Sequence, residues 1–119
     1  MKLPIDPEST RKVARFKETL ENGKGLNVVE LAPDNGAADA MLVVTATSRK
    51  HAQGLADALT TLCREEGIEF LGLEGYERGD WILVDCNDIV TQIFLEETRE
   101  LYNLETLWSK RPRTRETQE

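Results

Sequence analysis

The stretch Gly79 to Phe94, GDWILVDCNDIVTQIF, leaves little choice of local structure. Aliphatic, aromatic and β-branched residues run on either side of Asn87-Asp88, a polar pair that tolerates left-handed backbone and suits a two-residue hairpin loop. With those two residues at the turn, positions whose numbers sum to 175 stand opposite each other. Side chains alternate across a strand, so Ile82, Val84, Cys86, Ile89, Thr91 and Ile93 share one face. That face is apolar enough for a core. The other pairs Trp81 with Phe94, Leu83 with Gln92 and Asp85 with Val90. It is too apolar for free solvent and too polar for a sealed interior, and it is expected to meet something outside the fold.

The rest of the chain supplies the elements that pack on such a hairpin. DPESTRKVARFKETLENG places Val13, Phe16 and Leu20 at helical spacing and stops at Gly23, which predicts an amphipathic helix. LNVVELA and AMLVVTAT read as strands around the turn-rich PDNGAAD. The second strand is apolar through its centre, as an interior strand should be. Ser48 is a candidate N-cap for a helix whose stripe is Leu55, Ala56, Leu59, Leu62 and Cys63, with Gly67 as its stop. IEFLGLEG is expected to form a third strand, parallel to the second by a right-handed crossover through that helix. Two short helical segments, EETRELY and NLETLW, then lead into SKRPRTRETQE, a tail too charged to pack and expected to be disordered.

These elements predict one α+β domain over residues 1–109 with a mixed sheet of about five strands and helices mainly on one face. Residues 110–119 form its basic tail. The second sheet face stays partly open unless the C-terminal helical segments, through Leu107 and Trp108, cover it.

Charge narrows the function classes. The net charge of −7 disfavours a general nucleic-acid binder, whose phosphate contacts need clustered Lys and Arg. Residues 1–109 hold 11 basic and 20 acidic residues, a net of −9, so the folded part suits a basic protein partner. Cys63 and Cys86 have no CxxC spacing, form neither a metal quartet nor a disulfide framework, and read as buried reduced thiols. No apolar run has signal-peptide or membrane-spanning length, and a cytoplasmic chain with no membrane partner is expected.

The sequence also resembles the Iojap or ribosomal silencing factor family from about Leu26 to Trp108. EGYERGDWILVDCNDIVTQIF carries Glu74, Gly75, Trp81, Leu83, Asp85, Asp88, Val90 and Phe94 in step with the family pattern. RELYNLETLW adds Arg99, Tyr102, Leu104, Glu105, Leu107 and Trp108, and DAMLVVTATS adds Asp39, Thr47 and Ser48. The chain departs from the pattern at Ala40, Ala46, Cys86, Asn87, Gln92 and Leu95. The resemblance implies a nucleotidyltransferase-like fold and binding to the fourteenth protein of the large ribosomal subunit. It further implies hindered joining of the small subunit, which lowers translation when nutrients run short, and it admits a homodimer.

The open face and the resemblance meet at one set of candidate partner-binding residues. Trp81 is the expected anchor, since tryptophan removes a large area from water while keeping an N–H donor. Phe94 is expected to hold the indole, with Leu83 and Val90 extending an apolar floor. Asp85, Asp88 and Glu74 would meet Arg or Lys at the rim. Gln92 can donate and accept, and Tyr76 would reach the same edge with its hydroxyl.

Two other classes compete. A metal-dependent nucleotidyltransferase-like enzyme needs carboxylates converging on shared ions beside a phosphate-holding Gly-Ser turn. Asp85 and Asp88 straddle a turn instead, and TATSRK has Ala where that loop would want Gly. His51, the single histidine, falls in the first turn of a helix and reads as a solvent-facing or capping residue. No catalytic residue, metal or cofactor is therefore expected. The third class is a minor contact with ribosomal RNA through Lys110, Arg111, Arg113 and Arg115.

Overall fold

The structure is a computed structural model that describes residues 7–31 and 40–102. In chain order it contains α1 (Pro7–Asn22), β1 (Leu26–Leu31), β2 (Ala40–Ala46), α2 (Arg49–Glu66), β3 (Gly72–Glu74), β4 (Trp81–Asp85), β5 (Ile89–Leu95) and α3 (Glu96–Tyr102). The five strands form one sheet in the order β1-β2-β5-β4-β3. The β2–β5 pair is parallel, from Ala40 opposite Ile89 to Ala46 opposite Leu95, and the other three pairs are antiparallel. This is the mixed α+β sheet expected from the sequence.

Local sequence explains most of the boundaries. Ser48 caps α2, its hydroxyl accepting the His51 N–H at 3.0 Å, and Gly67 ends the helix in left-handed backbone with φ 66°. Val13, Phe16 and Leu20 of α1 and Leu55, Ala56, Leu59 and Leu62 of α2 are buried against Leu42, Val44, Ile82, Val84 and Ile93. Both long helices therefore lie on the hairpin face predicted for the core. An exposed Arg15 guanidinium of α1 meets the Glu66 carboxylate of α2 and ties the two helices on their outer side.

The third strand differs from expectation in length and neighbour. Regular pairing covers only Gly72–Glu74, and β3 runs in the same direction as β2 but is separated from it by β5 and β4. Phe70 and Leu71, inside the predicted strand, are 39% and 55% exposed. A segment that buries so little gains most of what it can at an edge, whereas β5, buried at six of its seven positions, takes the centre.

On the opposite sheet face Met41, Val43 and Phe94 form a second buried cluster, flanked by Leu31 and Trp81. α3 follows β5 directly and sends Arg99 over this face, where its Nη1 donates to Thr45 Oγ1 at 2.5 Å and to Asn27 C=O at 3.1 Å. Asn27 lies in the irregular part of β1 between Leu26 and Val29, with φ 52°. The PDNGAAD connection, the NLETLW segment with Leu107 and Trp108, and the tail lie outside the described residues. No helix among the described residues is long and apolar enough to cross a membrane.

Candidate partner-binding surface

The hairpin register fixes the candidate surface. Trp81 stands opposite Phe94, Leu83 opposite Gln92 and Asp85 opposite Val90, as the turn position predicted. Opposite residues of an antiparallel pair share a face, so Glu74, paired with Leu83, joins the same surface from β3. Seven of the nine candidate residues are thus gathered on the sheet face away from α1 and α2.

Their accessibility divides them into two layers. Phe94 and Gln92 are buried, while Trp81, Leu83, Asp85 and Val90 are half-buried and Glu74 is exposed. The rings of Trp81 and Phe94 are 5.0 Å apart and tilted by 32°, within the range of favourable aromatic pairs. Trp81 Nε1–H donates to Gln92 Oε1 at 2.8 Å, and Gln92 Nε2 donates to Met41 Sδ at 3.3 Å. Gln92, expected to offer its amide outward, instead spends donor and acceptor on neighbours, because burial demands that both be satisfied. Phe94 and Gln92 are a support under the indole, and the reachable layer is Trp81, Leu83, Val90, Asp85 and Glu74.

The other two candidates point elsewhere. Asp88 pairs with Lys12 of α1 at 3.2 Å, on the helix-covered side of the sheet. The Tyr76 hydroxyl donates to Asp57 of α2 at 3.1 Å, and that bond raises the phenol's pKa above its ordinary value. Tyr76 also packs against the core beneath the helices, so it does not reach the Trp81 edge. Sequence position alone placed both near the hairpin, but Asp88 in the β4–β5 turn and Tyr76 in the β3–β4 connection bond to groups on the helices instead. Within the turn, Asn87 takes φ 69° whereas Asp88 does not enter the left-handed region. Asp85 Oδ1 accepts the Asn87 N–H at 3.0 Å, as a turn-capping carboxylate does.

The two aspartates on either side of the turn therefore do not converge on a shared ion. Among the described residues no group of three or more His, Cys, Asp or Glu side chains is arranged to hold a metal.

Three relationships escaped the sequence reading. His51 Nδ1 accepts the Thr47 N–H at 2.9 Å, which leaves Nε2 to donate to Gly23 C=O at 2.8 Å. The histidine clamps the end of α1 to the start of α2. Arg99 is buried although strongly basic. Cys63 and Cys86, distant in sequence, touch with their sulfurs 3.4 Å apart. The signal for that contact was present, since Cys63 belongs to the inward stripe of α2 and Cys86 to the helix-facing side of the hairpin.

The chain is similar to known proteins. A family model described as ribosomal silencing factor during starvation matches residues 6–119. A ribosomal silencing factor RsfS of Haemophilus influenzae is 36% identical over 94 residues, covering 77% of this chain and 92% of the relative. A mouse protein named mitochondrial assembly of ribosomal large subunit protein 1 is 30% identical over 96 residues, which are 76% of this chain and 41% of that protein. A crystal structure of a Chromobacterium violaceum protein superposes with a TM-score of 0.78 at 30% identity, covering 87% of this chain and 89% of the other. Another, from Bacillus halodurans, gives 0.73 at 33% identity, covering 82% and 94%.

Proposed function

Since the chain belongs to the ribosomal silencing factor family, we propose that it binds the large ribosomal subunit through its fourteenth protein and blocks joining of the small subunit. Translation then falls under nutrient limitation. The observation that carries this reading is the Trp81 indole, seated on Phe94 and steered by Gln92, on a sheet face that α1 and α2 leave uncovered. An aromatic anchor with a fixed ring loses little freedom on binding, and such residues dominate interface energetics.

Leu83 and Val90 extend the apolar floor, and Asp85 and Glu74 supply acidic groups beside it. A net charge of −7 favours approach to a basic ribosomal protein and disfavours direct docking on RNA phosphates. Charge steering mainly sets the association rate, while the desolvated aromatic contact sets the lifetime of the complex. Arg111, Arg113 and Arg115 act at most as an auxiliary RNA contact, because ordering a charged tail costs entropy and salt screens it. The name of the mouse relative refers to assembly of the mitochondrial ribosomal large subunit, which agrees with a large-subunit partner here.

Sucrose-gradient profiles test the proposal. Purified protein added to separated subunits should co-sediment with the large subunit and reduce the joined-ribosome peak. An unchanged joined peak at saturating protein and low magnesium would overturn it.

A further inference from the structure

We propose that Cys63 and Cys86 are an oxidation site, forming a reversible intramolecular disulfide with hydrogen peroxide as oxidant and fastening the end of α2 to the turn of the β4–β5 hairpin. The two thiols are the chain's complement of cysteine. Their sulfurs lie 3.4 Å apart. A disulfide needs about 2.0 Å, so closure requires roughly 1.4 Å of approach between the sulfurs. They come from opposite partners of one packed layer: Cys63 from the last turns of α2, Cys86 from the residue after β4. The bond would therefore join two elements that are 23 residues apart in the chain.

Burial raises the pKa of both thiols. The Lys12 ammonium of α1, held beside the turn by Asp88 at 3.2 Å, favours the thiolate at both positions. Either sulfur can attack first, since either can donate across the contact. The attacking thiolate displaces hydroxide from peroxide to give a sulfenic acid, and the proton released from its thiol converts that hydroxide to water. The other cysteine sulfur then attacks the sulfenic sulfur, forming the S–S bond and expelling the sulfenic oxygen, which takes that second thiol's proton and leaves as a second water. Two electrons pass from the dithiol to the peroxide, and a dithiol reductant reverses the change.

Burial controls the rate. At 2% and 3% exposure neither sulfur meets peroxide while the hairpin end is closed, so oxidation follows local opening of the layer. The site lies on the helix-packed side of the sheet, behind the Trp81 surface. It constrains the hairpin without occupying the face proposed for binding.

The full chain is treated with hydrogen peroxide, quenched, denatured and labelled with a thiol-reactive maleimide, then weighed intact beside untreated protein. Untreated chain should take two labels. Treated chain should take none, weigh two hydrogens less, remain a single chain on a non-reducing gel and recover both labels after dithiothreitol. Its denaturation midpoint should rise relative to the reduced form, and peroxide should raise the midpoint of neither Cys63→Ser nor Cys86→Ser. The proposal is overturned if the treated chain keeps two labels, if it gains oxygen atoms without losing the two hydrogens, or if it forms only disulfides between chains.

Discussion

The indole N–H of Trp81 donates to the side-chain carbonyl of Gln92 at 2.8 Å, two residues before the ring of Phe94 on which the indole rests. One half-buried side chain is therefore located by two buried ones, and both come from the strand directly paired with its own. Orientation of the indole is a property of the β4–β5 ladder. It survives only while that ladder keeps its register, which ties the proposed binding surface to folding of the hairpin.

Trp81→Ala and Ile82→Ala should separate binding from stability. Ile82 is fully buried beneath the helices, so its truncation should cost roughly 3–4 kcal/mol in chemical denaturation. Trp81 is half-buried, and its loss should cost the fold about 1–2 kcal/mol while weakening large-subunit co-sedimentation by about tenfold or more. Parent-like ribosome binding by folded Trp81→Ala would remove the indole from the interface.

Gly75 takes φ 78°, and a Cβ placed there would lie 2.2 Å from the Trp81 carbonyl oxygen. Gly75→Ala should therefore destabilise by roughly 2 kcal/mol or more, combining left-handed strain with a backbone clash. Thermal unfolding measures the loss. A parent-like melting temperature would show that the β3–β4 connection yields at no cost.

Thr91 lies within the helix-covered core, and its Oγ1 is buried without a hydrogen-bond partner among the described residues. Thr91→Val keeps the shape and removes the orphan hydroxyl, so it should stabilise by about 1 kcal/mol. The denaturation midpoint should rise at constant slope. A lower midpoint would mean that the hydroxyl is satisfied in solution.

His51 accepts from Thr47 and donates to Gly23, joining the end of β2, the start of α2 and the end of α1. His51→Ala should cost about 1–2 kcal/mol, the range for two lost hydrogen bonds at a partly exposed site. Hydrogen exchange gives the sharper check, because the Thr47 amide should lose protection more than amides in the middle of β2. Equal protection there would assign His51 no clamping role.

Much of this molecule is decided locally. The alternation in GDWILVDCNDIVTQIF, with its polar pair at the turn, determined the β4–β5 register and both faces of the hairpin. Ser48 and Gly67 bounded α2, because capping and left-handed backbone depend on adjacent residues. These features are readable because side-chain periodicity and turn geometry act over a few residues. Strand order was decided by tertiary structure. Whether β5 or β3 sits beside β2 depends on which buries more apolar surface across the whole sheet, and no short window holds that comparison. The same holds for the directions of Asp88 and Tyr76, drawn to Lys12 and Asp57 on the helices, and for the turning of the Gln92 amide to Trp81 and Met41. Charged and polar side chains near a turn choose among partners brought close only by packing. The meeting of Cys63 with Cys86 belongs to that class too: periodicity put each on an inward face, and only the stacking of α2 on the hairpin brought the two sulfurs into contact.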